Sequence, residues 1–223
     1  MRKIRSTRGR DFAVAIPPAT LQGIQAGALR TRYKGRLFCK NPFDIANYMR
    51  VLEALRPRTI IEIGTAEGGS ALWFRDQGAA LGIDTQIYSF DIDPPTNLKE
   101  HSIFIGQVDA CQIERSLPAS TFESLPHPWL IIEDSAHTYE CTLSVLLYFN
   151  RLVSPGDYIV IEDGVVADLP GADYVKFDDG PNRAVAEFLN LEPCKYEIDT
   201  ETCDFFGHNV TYCPNAWLKV AGP

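Results

Sequence analysis

Acidic residues end two apolar runs in the second half of the chain. The first run leads into Asp134, with His137 three residues later, and the second leads into Glu162 and Asp163. Carboxylates gathered in a protein interior repel one another, so a cluster of them either shares protons or surrounds a cation. Oxygen ligands favour a hard ion, Mg²⁺ first and Mn²⁺ or Ca²⁺ after it. The other interpretation is that Asp134 and Asp163 cap helices and that His137 is an ordinary core or surface residue.

A loop of small residues follows the strand predicted at Thr59–Ile63. The candidate cofactor-binding residues in and beside this loop are Glu62, Gly64, Thr65, Gly68, Gly69 and Ser70. Glycines let the backbone approach a bound ligand closely. The order G-T-A-E-G-G lacks the GxGxxG spacing that places a pyrophosphate at a helix N-terminus, which argues against a dinucleotide. A nucleoside site and a tight structural turn both remain open.

Further acids follow the next two predicted strands. A carboxylate directly after a strand can accept hydrogen bonds from both ribose hydroxyls of a nucleoside, and Asp91 is the first candidate, with Asp93 beside it. Asp109, followed by Ala110, can reach an adenine amino group or can cap a helix that begins near Cys111. These acids suit a sulfonium cofactor better than a pyrophosphate, because they attract a cation and repel phosphates.

The elements that must position these residues alternate between strands and helices. Periodicity and turn signals predict helices near 21–30, 42–55, 70–81, 139–152 and 181–190, and strands at 59–63, 86–90, 103–107, 129–132 and 158–161. This alternation predicts an α/β fold with a mostly parallel sheet that helices cover on both faces. The runs Lys195–Ile198 and Ala216–Val220 predict a closing antiparallel hairpin at the sheet edge. We expect residues 1–40 to form an N-terminal arm and residues 41–223 to form a single domain.

Composition limits the classes of partner. The chain has 223 residues, 45% of them hydrophobic, and a net charge of −8, which disfavours binding to a nucleic acid backbone. The one basic cluster is the N-terminal run of Arg2, Lys3, Arg5, Arg8 and Arg10. No apolar stretch follows that run or reaches the length of a membrane span, so we expect a soluble cytoplasmic protein without membrane contact. The six cysteines are scattered and contain no CxxC pair, which predicts reduced, packed thiols.

The spacing of the acids resembles that of magnesium-dependent catechol O-methyltransferases. Those enzymes carry an acid after strand four, a base three residues later, and two further ligands 28 and 29 positions after the first acid, as Asp134, His137, Glu162 and Asp163 do here. The chain is more similar still to the cephalosporin hydroxylase family, which includes macrolide-sugar and rhamnosyl O-methyltransferases. Over residues 33–223 the shared features are Lys40 to Asp44, Ile61 to Gly64, Gly68 to Ser70, Asp134 to His137, Pro155 to Tyr158, Glu162-Asp163 and Cys213 to Lys219.

The resemblance implies a class I methyltransferase fold with a seven-stranded sheet, and S-adenosylmethionine (SAM) as methyl donor. It implies that Asp134, Glu162 and Asp163 hold Mg²⁺ or Mn²⁺, that His137 is the general base, and that Asp134 takes part in catalysis. The acceptor would be a hydroxyl of a small molecule such as a sugar, a polyol or a phenol, and relatives of this kind are usually homo-oligomers. The chain departs from the family at Tyr33-Lys34-Gly35, which matches the expected aromatic-glycine segment only approximately.

Two other functions compete with methyl transfer. The first is an oxidoreductase or hydroxylase on a similar sheet, which the missing GxGxxG and the lack of a 2-His-1-carboxylate set disfavour. The second is a catalytically silent SAM-binding module, which the set of acids and histidine disfavours.

We expect the acceptor site to be lined by the arm, by Gly164–Gly180 and by Thr202–Cys213. We expect Glu133 to face solvent or to pair locally.

Overall fold

The computed structural model describes residues 6–222 of the chain; Arg2, Lys3 and Arg5 of the basic run lie outside this range. The strands are β1 (Ser6–Thr7), β2 (Arg10–Asp11), β3 (Arg32–Tyr33), β4 (Arg36–Leu37), β5 (Thr59–Ile63), β6 (Gln86–Asp91), β7 (Ile103–Gln107), β8 (Trp129–Glu133), β9 (Tyr158–Ile161), β10 (Tyr196–Ile198) and β11 (Trp217–Val220). The helices are α1 (Pro18–Ala28), α2 (Pro42–Leu55), α3 (Gly69–Ala80), α4 (Ile113–Ser116), α5 (Tyr139–Asn150), α6 (Ala172–Val175), α7 (Gly180–Leu191) and α8 (Thr200–Cys203). Over the described range, none of these helices has the length and apolar character to cross a bilayer.

Seven strands form the main sheet, in the order β10-β11-β9-β8-β5-β6-β7. The five strands from β9 to β7 pair in parallel, and β11 pairs antiparallel with both β9 and β10. Along the sheet, the connection from β5 to β6 runs toward the β7 edge, and the connection from β8 to β9 runs toward the β10 edge. Because such crossovers are right-handed, α3 and α5 cover opposite faces of the sheet. The predicted α/β class, the mostly parallel seven-stranded sheet and the closing hairpin are confirmed.

The start of α2 follows from its sequence. Asn41 is the N-cap, and its side-chain oxygen accepts hydrogen bonds from the backbone N–H groups of Phe43 and Asp44, both at 3.0 Å. Pro42 occupies the first helical position, where its missing N–H costs nothing. The apolar residues Tyr48, Val51 and Leu52 of this helix are buried, whereas Met49 is 50% exposed. Capping therefore fixes where α2 begins, and Lys40 stands immediately before the cap.

Backbone hydrogen bonds continue the sheet for one residue beyond the strands. The N–H of Gly64 donates to the Phe90 carbonyl at 2.7 Å, that of Asp134 donates to Ile63 at 2.8 Å, and that of Glu162 donates to Glu133 at 2.9 Å. Three loops consequently leave the sheet side by side at the carboxyl ends of β5, β8 and β9. In an open α/β sheet this is the edge at which ligands bind, and the directions of the chain diverge between β5 and β8.

The described part of the arm packs onto the body of the protein. Arg10 forms an ion pair with Asp204 at 2.7 Å and donates to Asn215 at 2.8 Å. A second hydrophobic cluster, separate from the main core, joins α1 to the 164–180 loop and to the segment before β11. We call it the arm cluster; its buried members are Ile16, Leu21, Val165, Leu169, Val210 and Tyr212. All three segments predicted to line the acceptor site therefore contribute to one packed unit.

Two cysteines are joined in a disulfide. Cys111, in the turn after β7, is bonded to Cys141 in the first turn of α5, with their Cα atoms 4.0 Å apart. The prediction of reduced thiols is wrong for this pair, because the fold brings together two positions that are 30 residues apart in the chain. Cys203 and Cys213 are free and buried, as predicted.

Candidate active site

A cavity of about 400 Å³ opens outside the carboxyl ends of β5, β6, β7 and β8. This volume lies within the usual range of small-molecule sites. Its walls are formed by Leu29, Cys39, Ile63, Gly64, Ala66, Phe90, Asp91, Ile92, Val108, Asp109, Ala110, Cys111, Asp134, Ser135, Ala136, His137 and Asp163. A second groove of about 510 Å³ lies at the opposite end of the sheet, beside Tyr158 and Lys219, and contains none of the predicted site residues. The chemistry-bearing side chains thus converge on the first cavity.

Asp91 and Asp109 stand at one end of this cavity. The carboxylate of Asp91 accepts hydrogen bonds from the N–H of Ala66 at 2.8 Å and from that of Asp93 at 3.0 Å, which ties the glycine loop to the end of β6. Asp109 accepts from the N–H of Cys111 at 2.9 Å. The capping role considered for Asp109 is therefore realised, and the residue also lines the cavity. Asp93 lies outside this cavity, in a shallower groove beyond the loop.

Glycine is required at the point where β5 meets β8. Gly64 has φ +111°, and a Cβ at this position would lie 2.0 Å from the backbone oxygen of Asp134. This contact joins the glycine loop after β5 to the loop after β8 that carries Asp134. Among the candidates of the glycine loop, Gly64 lines the cavity, whereas Glu62, Thr65, Gly68, Gly69 and Ser70 do not. Ala110, which follows Asp109, also lines it. Glu62 is fully buried and accepts from Ser89 at 2.5 Å, so its contact with a cofactor stays a prediction.

The hairpin of β3 and β4 holds the glycine loop from outside. The carboxylate of Glu67 accepts from the backbone N–H of Leu37 at 2.7 Å, and the Glu67 carbonyl accepts from Arg36 at 2.8 Å. A Cβ on Gly69 would lie 2.1 Å from the Leu37 carbonyl oxygen. The loop and the last part of the arm are therefore in direct backbone contact, which the sequence did not predict.

Asp134, His137 and Asp163 meet at the other end of the cavity. Each offers one ligand atom, and these atoms lie within 4.8 Å of one another. Nε2 of His137 is 3.4 Å from the carboxylate of Asp163. The helix-cap interpretation fails for both acids: Thr138 caps α5, and the Asp163 side chain makes no capping bond. Two of the three predicted metal ligands therefore stand beside the predicted base.

Glu162, the third predicted ligand, is adjacent but engaged by other residues. Its Oε1 accepts hydrogen bonds from Nζ of Lys40 and from the hydroxyl of Tyr48, both at 2.6 Å. Lys40 also donates to Oδ2 of Asp134 at 2.5 Å. Glu162 is outside the group of three ligand atoms formed by Asp134, His137 and Asp163. Coordination of a metal by Glu162 stays a prediction, and Lys40 is a site residue that sequence analysis missed.

Negative charge is crowded at this end of the cavity, and the environment of two acids shifts their pKa upward. Burial raises the pKa of Glu162 well above its usual value, and the nearby charge of Asp134 raises it further. Burial also raises the pKa of Asp163, with His137 opposing and Asp134 reinforcing the shift. A divalent cation would relieve this repulsion, and carboxylate oxygens are its preferred ligands. The residues present therefore fit a hard divalent ion.

His137 is held in a fixed orientation by its neighbours. Its backbone is left-handed, at φ +53°, and its ring contacts the edge of Phe177 at a centroid distance of 5.6 Å. A Cβ on Gly180 would lie 2.7 Å from the His137 carbonyl oxygen, so the start of α7 packs directly against this loop. Burial lowers the pKa of His137, but the carboxylates of Asp163, Asp134 and Glu133 outweigh it and the net shift is upward.

Glu133 does not face solvent. It is the last residue of a central strand, is fully buried and accepts from Thr142 at 3.1 Å and from the backbone N–H of Ser135 at 3.2 Å. The expectation of solvent exposure is therefore wrong, whereas the expected local pairing is correct. A strand covered by helices on both faces leaves no solvent for its final side chain.

Two apolar side chains in the cavity wall also escaped prediction. Ile92 is 64% exposed and Leu29 is 50% exposed, although both line the cavity. Ile92 follows Asp91 directly, so an apolar residue after the acid that ends β6 was an available signal. Leu29 comes from the arm at the end of α1, and no local pattern connects it with the sheet. Both offer apolar surface to a bound molecule.

The sheet order, the crevice at the divergence of the crossovers and the acids at its two ends define a class I methyltransferase fold. The model of the family described as Rhamnosyl O-methyltransferase/CmcI matches residues 27–221. The chain belongs to this family and is a SAM-dependent O-methyltransferase.

Individual relatives agree with this assignment. The chain is 29% identical to the Rhamnosyl O-methyltransferase of Mycobacterium tuberculosis strain H37Rv, over 85% of this chain and 78% of that protein. Identity to the Rhamnosyl O-methyltransferase of Mycobacterium leprae is 27%, over 84% and 82% of the two chains. A solved structure of CmcI with Mg and SAM superimposes with a TM-score of 0.65 at 26% identity, over 87% of this chain and 78% of that one.

Proposed function

We propose that this enzyme transfers the methyl group of SAM to a sugar hydroxyl, with Mg²⁺ or Mn²⁺ held by Asp134, Glu162 and Asp163. One observation carries the proposal: a single cavity has the carboxylates of Asp91 and Asp109 at one end and the cluster of Asp134, His137 and Asp163 at the other. SAM has the matching form, with a nucleoside at one end and a reactive sulfonium methyl group at the other. Asp91 and Asp109 would bind its adenosine part, and the methyl group would then point toward Asp134 and His137.

The choice of a sugar rests on the relatives. Two of them are named Rhamnosyl O-methyltransferase, and the family carries the same description. Leu29 and Cys39 of the arm line the cavity, and Phe177 and Gly180 lie against His137, so both segments stand where they could contact an acceptor. A homo-oligomer, a cytoplasmic location and the division at residue 40 stay part of the proposal as predictions of the sequence.

The chemistry explains why a base and a metal should occur together. An alcohol of pKa ~15.7 facing an imidazole of pKa ~6.5 differs by about 9 units, or ~12 kcal/mol, so histidine alone is too weak a base. A bound divalent ion stabilises the negative charge that develops on the acceptor oxygen. His137 would accept the hydroxyl proton, and Asp163, 3.4 Å away, would stabilise the resulting imidazolium. Positioning of the acceptor in line with the methyl group supplies several kcal/mol more.

The hydroxylase alternative is weaker at this site. Non-haem iron oxygenases hold their metal with two histidines and one carboxylate. The ligand group found among residues 6–222 contains one histidine and two carboxylates, which suits a hard redox-inactive ion.

The proposal is tested by offering the enzyme SAM, MgCl₂ and a panel of rhamnose-bearing and other glycosides. We expect a product heavier by one methyl group, formed only with Mg²⁺ or Mn²⁺, abolished by EDTA and restored when Mg²⁺ is added back. Calorimetry should show binding of SAM and no binding of NAD or FAD. Turnover that is insensitive to EDTA would exclude the metal, and a chain that fails to bind SAM would exclude methyl transfer.

Asp91 provides a separate test of the cofactor site. Asp91→Asn should weaken SAM binding by about 10- to 100-fold, because a charged acceptor of hydrogen bonds from two hydroxyls is replaced by a neutral one. Metal affinity should stay unchanged, since Asp91 lies at the opposite end of the cavity from Asp134. Asp84→Asn is the matched control, because Asp84 is exposed and precedes β6, at the opposite edge of the sheet from the cavity. Equal SAM dissociation constants for wild type and Asp91→Asn, measured by calorimetry, would remove Asp91 from the site.

A further inference from the structure

Lys40 lies between two of the acids at the metal end of the cavity. Its ammonium group donates to Oδ2 of Asp134 at 2.5 Å and to Oε1 of Glu162 at 2.6 Å. The side chain is 3% exposed, so water contributes little to its solvation. The Asn41 cap fixes the start of α2 and thereby the point from which Lys40 reaches these two carboxylates.

The charge balance of the interior makes this position unusual. Lys40 is the one basic side chain among the buried residues of the described range. Its buried acidic counterparts in the same range are Asp44, Glu62, Glu133, Asp157, Glu162, Asp179 and Asp199. A buried cation strongly stabilises anions within hydrogen-bond distance, because the low dielectric weakens screening.

We propose that Lys40 is a positioning residue that sets the net charge of the metal site to match a divalent ion. With Asp134, Glu162 and Asp163 ionised around a bound cation and His137 neutral, the site carries three negative charges, and Lys40 adds one positive charge. A net charge of −2 then remains, which one divalent ion neutralises. The inference rests on the proposed metal site and adds to it the residue that determines which ionic charge the site prefers.

The geometry also shows how Lys40 joins two of the acids. Its ammonium group donates to one oxygen of Asp134 and, together with the Tyr48 hydroxyl, to one oxygen of Glu162. A cation shared between two carboxylates offsets their mutual repulsion and draws them together. Lys40 therefore keeps Asp134 and Glu162 close to each other.

The test compares the binding of Mg²⁺ and Tb³⁺ in wild type and in Lys40→Met. Loss of one positive charge beside the site strengthens the attraction for a trivalent ion more than for a divalent one. We expect the ratio of Tb³⁺ affinity to Mg²⁺ affinity to rise by about tenfold or more in Lys40→Met. A general disturbance of the site would weaken the binding of both ions, so its effect cancels in the ratio of the two affinities. Lys40→Arg keeps the charge and should retain the wild-type ratio.

Two further variants make the outcome decisive. Lys219→Met removes a lysine that pairs with Asp199 at 3.1 Å at the opposite end of the sheet, and Tyr48→Phe removes a neutral donor to Glu162. Both should leave the ratio unchanged. An unchanged ratio in Lys40→Met would overturn the inference while leaving the metal site intact. Wild type that binds no Mg²⁺ would instead overturn the proposed metal site.

A second single variant covers the case in which Lys40→Met does not fold. Lys40→Gln removes the positive charge but keeps N–H donors that can bond to the carboxylates of Asp134 and Glu162. We expect the Tb³⁺ to Mg²⁺ ratio to rise in Lys40→Gln as in Lys40→Met. A wild-type ratio in Lys40→Gln would contradict a role of Lys40 through charge.

Discussion

Asp134→Asn should lose Mg²⁺ binding and should lower kcat by about 10³-fold or more, with the affinity for SAM nearly unchanged. Asp134 offers a ligand atom within 4.8 Å of those of His137 and Asp163, and the amide is a poor metal ligand in place of the carboxylate. Without the ion, the developing charge on the acceptor oxygen is unstabilised, which accounts for a loss of this size. Calorimetry with Mg²⁺ and steady-state kinetics measure the two effects separately.

The amide is preferable to alanine because Lys40 needs a partner at this position. The side-chain oxygen of asparagine can still accept the hydrogen bond from Lys40, so the buried ammonium is not left alone. Melting temperatures of wild type and variant, both in EDTA, check that the fold is intact. Asp84→Asn removes the same charge at an exposed position outside the cavity and should keep full activity. Wild-type Mg²⁺ binding by Asp134→Asn would refute the assignment of Asp134 as a ligand.

The placement of the acids could be predicted because it follows from local rules. Apolar β-branched runs indicated the strands, and parallel strands in a doubly wound sheet end at one edge. The pairing register of the strands then places the loops that follow them side by side. The hydrogen bond from the Asp134 N–H to the Ile63 carbonyl is one example. Asp134 and Asp163 were therefore identified from sequence as neighbours, and the structure places them together.

The partners of those acids could not be predicted in the same way. Lys40 is 94 residues from Asp134 and 122 residues from Glu162, and it stands outside any strand or helix. Periodicity carries no information on a contact of this kind, since only the docking of α2 on the sheet creates it. The backbone contact of Gly69 with Leu37 and the bond of Cys111 with Cys141 have the same origin.

The structure leaves two roles open for His137, and one substitution separates them. A ring nitrogen of His137 lies within 4.8 Å of a carboxylate oxygen of both Asp134 and Asp163. His137 is therefore placed to bind the metal as well as to accept a proton. If His137 is the base, His137→Ala should lower kcat by about 10² to 10⁴-fold and leave the affinities for Mg²⁺ and SAM unchanged. If His137 is a metal ligand, the same variant should bind Mg²⁺ more weakly, and excess metal should partly restore its activity. We expect the first result.

The pH dependence of the same variant gives an independent answer. Burial lowers the pKa of His137, and the carboxylates of Asp163 and Asp134 raise it beyond that, so a proton is bound more tightly than by free imidazole. A general base must be neutral, so kcat/KM of wild type should fall as pH falls through this pKa. His137→Ala has no such group, and its residual kcat/KM should lack this limb of the profile. If the acidic limb persists unchanged in His137→Ala, another group takes the proton, and the histidine serves the site by position alone.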